Sequence, residues 1–296
     1  MTAHHWHVLG AGAMGCLFAA RLQDSGCDIT LVVRDTRPDP LALVLEDGED
    51  TREMKFPTTT AADRAPISHL LVTTKAYDVV DAVSSLAHRL DRDSQVLLLA
   101  NGLGFASELS GRYPWLAPYC GTTTEGAYRV SSFRIRHAGH GATRIGRSGE
   151  PNPPAWFAPW RALENCLWEQ DIDSALWEKL AVNCAINPLT AVHDCRNGEL
   201  LSRPELAREV DALCNEIARV SEAAEFAPIA AGLRARVEEV IRNTASNHSS
   251  MLQDCRAGRT TEIDYITGQL LRVADLHGIA APRNRSLLEQ VKRLGG

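Results

Sequence analysis

Lys179, Asn183 and Asn187 recur at intervals of four in the stretch LWEKLAVNCAINPLTAV. On a helix they lie along one face, each about 40° from the last. Such a face either turns to water or is held for chemistry. The supply of lysine favours chemistry, because the chain carries only Lys55, Lys75, Lys179 and Lys292 against twenty-seven arginines. A lysine kept in that background points to work a guanidinium cannot do, the release of a proton once burial pulls its pKa down from about 10.4. Pro188 removes a backbone donor just beyond Asn187 and is expected to kink the helix there.

A second polar set, Asn247, Ser249 and Ser250, falls in ASNHSSMLQD on a helix expected over 230–257. Asn247 and Ser250 would share a face there, among Met251, Leu252 and Cys255. Their amide and hydroxyl suit the carboxylate and hydroxyl of a small polar acid, or simply face solvent. Glu262 is expected in the first turn of the following helix, either as a favourable helix-end charge or as a partner holding Lys179 or a ribose.

The glycines point to what such an acid would react with. Residues 7–26, HVLGAGAMGCLFAARLQDSG, read as a strand, the glycines Gly10, Gly12 and Gly15, and an amphipathic helix closed by Gly26. Gly10 permits a tight turn, Gly12 lets backbone approach a pyrophosphate, and Gly15 lets helix and strand pack closely, with the helix N-terminus as the anion site. The next strand ends at Arg34, followed by Asp35, where an NAD-preferring protein would place an acid on the ribose 2′-hydroxyl. A guanidinium there suits the 2′-phosphate of NADP, unless it is only a solvated surface group. Lys75 after HLLVTT and Asn101 with Gly102 after QVLLLA stand at further strand ends, which in an open α/β sheet line the ligand crevice. Lys75 suits cofactor phosphate or ribose and Asn101 the ribose or nicotinamide side; the plainer alternatives are a loop lysine and an Asn-Gly turn.

These residues need two kinds of scaffold. From His7 to about Gly146 short β-rich runs (HVLGAG, DITLVV, HLLVTT, QVLLLA, Tyr119 to Thr123, FRIRHAG and ATRIG) alternate with helical stretches, the pattern of a parallel sheet covered by helices. After RSGEPNPPAW the strand-like runs fade, and from Asp173 on the pattern is helical: 174–193, about 204–226, 230–257, and a fourth helix opened by a Thr261/Asp264 capping box and closed by Gly278 and Pro282. The fold class expected is therefore α/β, an N-terminal Rossmann-type NADP-binding domain (1–169) followed by an all-α C-terminal domain (170–296). Composition is that of an ordinary soluble protein, and a net charge of −6 argues against a nucleic-acid partner. No apolar run reaches the length of a membrane span, and the cytoplasm is the default location. The eight cysteines form no CxxC pair and read as reduced core thiols; no metal-ligand set is expected.

The stretches GAGAMG, LLVTTKAYDVVDAV, NGLG, GTTTEGA, WEKLAVNCAINPLTAV, NGEL and SSMLQDCRAGRTTEIDYITG, in that order over nearly the whole chain, resemble the successive motifs of the ketopantoate reductase (2-dehydropantoate 2-reductase) family. The resemblance implies a Rossmann domain and a helical domain, NADPH as hydride donor, and formation of (R)-pantoate for pantothenate and coenzyme A synthesis. It matches Lys179 to the proton donor and Glu262 to a catalytic or cofactor-junction position. It matches Lys75, Asn101 and Ala127 to the cofactor, beside the cofactor residues expected from the glycine turn and the second strand end, Gly10, Ala11, Gly12, Ala13, Met14, Gly15 and Arg34. Asn101, Lys179, Asn183, Asn187, Asn197, Asn247 and Ser250 match substrate positions. Glu125 stands in GTTTEGA where related sequences vary. The partner implied is a small 2-oxo acid, with the protein a monomer or homodimer. Two other readings stay open: a dehydrogenase of another branched 2-oxo acid or of the wider hydroxyacid or opine type, and a non-catalytic NADP-binding sensor. Retention of Lys179, Asn183, Ser250 and Glu262 speaks against the sensor.

Overall fold

The computed structural model describes residues 4–35 and 37–294. The chain divides into two compact units, Met1–Ala100 with Phe105–Asp173, and Asn101–Gly104 with Ser174–Gly296. The division thus falls at residue 173 rather than the expected 169, and it assigns the Asn101 turn to the helical unit.

In the first unit the chain opens on β1 (His5–Leu9), α1 (Ala13–Asp24) and β2 (Asp28–Val32). A hairpin of β3 (Leu41–Asp47) and β4 (Asp50–Phe56) follows, turned at Gly48 with φ +59°. The chain continues through β5 (Thr58–Thr59), β6 (His69–Val72), α2 (Val79–Ser85), β7 (Gln95–Leu98), α3 (Phe105–Arg112) and β8 (Tyr119–Thr123). It closes with β9 (Gly126–Ser131), β10 (Arg134–Gly139), β11 (Thr143–Gly146), α4 (Ala158–Arg161) and β12 (Cys166–Trp168). Among the described residues eight strands form one sheet in the order β12-β11-β8-β7-β6-β1-β2-β5, parallel from β8 to β5, with β11 antiparallel to β8. That parallel sheet is the one the sequence predicts. It needs cover on both faces, and its strands are accordingly continuous apolar runs. Trp6 of β1 is fully buried and meets Trp160 edge-on at 5.5 Å, while Phe18 of α1 packs on the same indole at 5.7 Å.

A second sheet, β4-β3-β10-β9, was not expected. Its signal is nonetheless local: Leu41, Leu43 and Leu45 alternate inward before an Asp-Gly turn, the pattern of a half-buried hairpin.

The second unit is helical. Its α5 (Ile172–His193) is buried on nearly every side, so it forms the centre of the unit rather than an amphipathic edge. Around it stand α6 (Glu199–Ser202), α7 (Pro204–Ala223), α8 (Ala227–Asn243), α9 (Ser250–Arg256), α10 (Thr267–Leu276) and α11 (Pro282–Leu294). Along α7, Leu206, Val210, Leu213, Ile217 and Val220 recur at three and four and form its inward stripe. α5 continues past Pro188 to His193.

Two expected helices are corrected. The helix over 230–257 is broken between Asn243 and Ser250. There the carbonyls of Ala245 and Asn247 accept from the backbone of Gly198 and Asn197 at 3.0 Å each, and Thr244 Oγ1 returns to the Val240 carbonyl. Polar side chains that bond their own backbone compete with helix in this way. Asn247 is therefore outside any helix and does not share a helical face with Ser250. The expected capping box at Thr261 and Asp264 is also absent, because α10 starts at Thr267; the Tyr265 carbonyl is given to Leu103 N at 2.9 Å instead of to a helical turn. No helix of the described residues is long and apolar enough to cross a membrane. All eight cysteines are free, six of them buried.

Candidate active site

The turn between β1 and α1 is built around absent side chains. Gly10 takes φ +101°, and a Cβ there would stand 2.7 Å from Thr74 N. A Cβ on Gly15 would stand 2.1 Å from the Gly10 carbonyl and 2.5 Å from Thr73 Oγ1, which itself donates to that carbonyl at 2.8 Å. Gly12 differs, since its Cβ would meet only the Gly10 carbonyl, at 3.9 Å. Open space at the middle glycine, tight contacts at the outer two, is what a backbone cradle for a diphosphate requires. α1 begins at this turn with no side-chain cap and no acidic residue in its first turn, so its amide end is available to an anion. The Thr74 hydroxyl beside it is buried without a hydrogen-bond partner among the described residues. Arg129, which sequence reasoning missed, donates to the Ala11 carbonyl at 3.0 Å and adds a cation to the turn. A dinucleotide therefore fits here, with Ala11, Ala13 and Met14 half-buried along the same loop.

Arg34 lies two residues beyond β2 with its side chain 89% exposed, touching only Asp78, at 3.4 Å, among the contacts resolved for it. So exposed, it can leave Asp78 for an incoming phosphate. Lys75 follows the β6 strand end and is half-buried; Ala127 lies on β9, opposite His137 and beside α1.

In the helical unit, three of the expected residues come together. Lys179 Nζ donates to Asn101 Oδ1 at 3.0 Å, and Asn101 Nδ2 donates to Glu262 Oε2 at 3.2 Å. The Asn101 turn is held against the chain at Tyr265: Gly102 has φ +91°, and a Cβ there would lie 2.4 Å from the Tyr265 carbonyl. Glu262 is only 5% exposed, in the turn preceding α10 rather than within the helix. Burial pushes the Lys179 ammonium down from 10.5 to about 8, with the Glu262 carboxylate opposing the shift. Desolvation wins, and the lysine is poised to give up a proton near neutral pH. Asn183 is half-buried one turn along α5, and Asn187 a turn further is buried, so the polar face of this helix does not turn to water.

A lysine so placed makes a testable number. Glu262→Gln keeps the acceptor for Asn101 but deletes the charge, and is expected to lower the Lys179 pKa below about 8. With four lysines in the chain, carbon-labelled lysine and NMR titration read this directly. An unchanged or raised pKa would mean that Glu262 is not the charge Lys179 responds to.

The second polar set is organised around the break between α8 and α9. Ser249 caps α9 by accepting from Leu252 N at 3.1 Å, and it accepts from Thr190 Oγ1 of α5 at 2.7 Å. Asn197 is buried, its amide donating to Thr244 Oγ1 at 2.8 Å, and its backbone ties down Asn247. Asn247 and Ser250 are exposed. Ser249 and Asn197 thus position the strand of chain that carries them.

The comparisons with known proteins agree over nearly the whole chain. Residues 6–150 match the family model described as Ketopantoate reductase PanE/ApbA, and residues 171–295 match its companion, Ketopantoate reductase PanE/ApbA C terminal. The chain belongs to the ketopantoate reductase family. The 2-dehydropantoate 2-reductase of Salmonella typhimurium is 42% identical over 294 residues, covering 97% of this chain and 93% of that protein. That of Vibrio cholerae is 38% identical over 291 residues, covering 97% and 96%. The solved ternary complex of D-mandelate dehydrogenase with NADH and anilino(oxo)acetate superposes with a TM-score of 0.89 at 24% identity, covering 98% of each chain, and shows the likeness of fold. Ketopantoate reductases use a nicotinamide cofactor, the kind of group the glycine turn fits.

Proposed function

We propose that this chain reduces 2-dehydropantoate to (R)-pantoate with NADPH, in the cytoplasm, for pantothenate and coenzyme A synthesis. The observation that carries the reading is Lys179: a lysine of pKa about 8, fixed on Asn101 and backed by Glu262, in a family of keto-acid reductases. When bound, the reduced nicotinamide supplies hydride to the keto carbon. Lys179, still protonated below about pH 8, polarises the keto oxygen and delivers the proton to it. Asn101 orients the ammonium, and Glu262 keeps its pKa from falling so far that the proton is lost before reaction. Asn183, Asn187, Asn247 and Ser250 offer amides and a hydroxyl to the carboxylate and hydroxyl of the substrate, with Asn197 holding Asn247 in place. The turn at Gly10, Gly12 and Gly15 and the α1 N-terminus hold the diphosphate, with Lys75, Ala127 and Asn101 at the ribose and nicotinamide. The test is NADPH oxidation with ketopantoate beside pyruvate, oxaloacetate and 2-oxoisovalerate. Ketopantoate is expected to give the highest kcat/KM; no oxidation with it, or preference for another acid, would overturn the reading.

The choice of NADPH rests on Arg34. Its loss should remove a charged contact worth about 1.5–3 kcal/mol, roughly tenfold or more in affinity. Arg34→Ala is therefore expected to raise KM for NADPH about tenfold and leave KM for NADH nearly unchanged. Equal effects on the two cofactors would show that another residue selects.

A further inference from the structure

The four-stranded sheet and the residue after it gather three metal-ligand side chains, two imidazoles and a carboxylate, where the sequence shows no ligand motif. β10 runs parallel to β3 with His137 in register opposite Asp47, the last residue of β3, and His140 follows directly on the end of β10. His137 Nδ1 lies 3.2 Å from Asp47 Oδ2, and His140 Nε2 lies 3.4 Å from Asp47 Oδ1. One ligand atom from each of the three residues falls within 4.8 Å of the others. Ligand nitrogens and oxygens about 2.0–2.2 Å from a tetrahedral ion stand roughly 3.3–3.5 Å apart. Each histidine already stands at that spacing from an Asp47 oxygen, His137 from Oδ2 and His140 from Oδ1. His140, its side chain 65% exposed, can turn to close the third.

The set is also braced from behind. His137 has its side chain 3% exposed and directs Nε2 at Glu125 Oε2, 2.6 Å away. Glu125 is in turn ion-paired to Arg21 of α1, its own amide donates to Thr123 Oγ1 at 3.1 Å, and Arg21 donates onward to the Glu164 carbonyl at 3.0 Å. A carboxylate on the far nitrogen of an imidazole fixes ring and tautomer, and it is the usual support of a metal-bound histidine. On an ion, Nδ1 of His137 would coordinate while Nε2 stays on Glu125.

We propose that Asp47, His137 and His140 bind one divalent transition-metal ion, zinc foremost, with a fourth position open to water. Two imidazoles and one carboxylate are a zinc set, whereas calcium and magnesium prefer oxygen alone. The ion would clamp the β3–β4 hairpin to β10 within the first unit, independently of Lys179.

The experiment loads untagged, chelator-stripped full-length protein with cobalt or zinc. Wild type is expected to show visible ligand-field bands of tetrahedral cobalt with no thiolate charge-transfer band, and its thermal midpoint should rise with zinc. His140→Ala and Asp47→Asn should each abolish the bands and the thermal shift. His140 is exposed, so its variant keeps the fold. Glu125→Gln should weaken zinc by about ten- to hundredfold through the supporting contact. Absence of the bands in wild type, a thiolate band, or equal binding by His140→Ala would each overturn the proposal.

Discussion

Lys179→Ala should remove most turnover from a protein that still folds and still binds NADPH. General acid catalysis is worth typically 10² to 10⁴ in rate, and a fall in kcat of about that order is expected. The residue belongs to the helical unit, while the glycine turn belongs to the first, so cofactor affinity measured by NADPH fluorescence should change little. Removal of the side chain also strips Asn101 of a hydrogen-bond donor and Glu262 of a neighbouring charge, and Lys179→Met, which keeps the apolar stem, separates lost chemistry from lost packing. Lys179→Arg should rescue little, because a guanidinium keeps the charge but does not release its proton. A rise in KM for ketopantoate together with the loss of kcat would show that Lys179 holds the carbonyl before hydride transfer as well as during it. Near-normal turnover in the alanine variant would move the role of acid to Glu262.

Gly15 and Gly12 of the turn should fail in different ways. A Cβ at Gly15 would lie 2.1 Å from a backbone carbonyl that has nowhere to go, since Thr73 pins it. Overpacking of this kind costs about 1–3 kcal/mol or more, and the turn can relieve it only by losing its shape. Gly15→Ala is thus expected to lower the thermal midpoint and to weaken NADPH by about tenfold to a hundredfold. At Gly12 the added methyl meets nothing closer than 3.9 Å. Gly12→Ala should therefore melt like wild type but bind NADPH as poorly as the Gly15 variant, because the space it fills is the cofactor's. Normal NADPH affinity in Gly12→Ala, measured by fluorescence titration, would show that the diphosphate does not approach this turn.

What could be read from the sequence was local in origin. Gly10, Gly12 and Gly15 act through contacts made within one strand-turn-helix, and Lys179, Asn183 and Asn187 share a face by helical period alone. What escaped was set by distant partners. Lys179 meets Asn101 across 78 residues, and His137 meets Asp47 across 90. The break before α9 exists because Asn197 and Gly198 claim the backbone of Asn247 and Ala245, and no periodicity within 230–257 announces that. α10 starts late for a similar reason: Leu103 takes the Tyr265 carbonyl. The β3–β4 hairpin is a different case, since alternating leucines ahead of Asp47 and Gly48 were a legible sign that the alternation of strands and helices obscured.

The most direct test of Lys179 as the acid is the pH dependence of kcat/KM for ketopantoate reduction, which reports the ionisation of the free enzyme. The reacting form is the ammonium, so activity belongs to the acid side of its pKa. The profile should be level below about pH 8 and fall about tenfold per pH unit above it, where Lys179 has lost its proton. A profile that stays level through the alkaline range, or that rises there, would contradict the account.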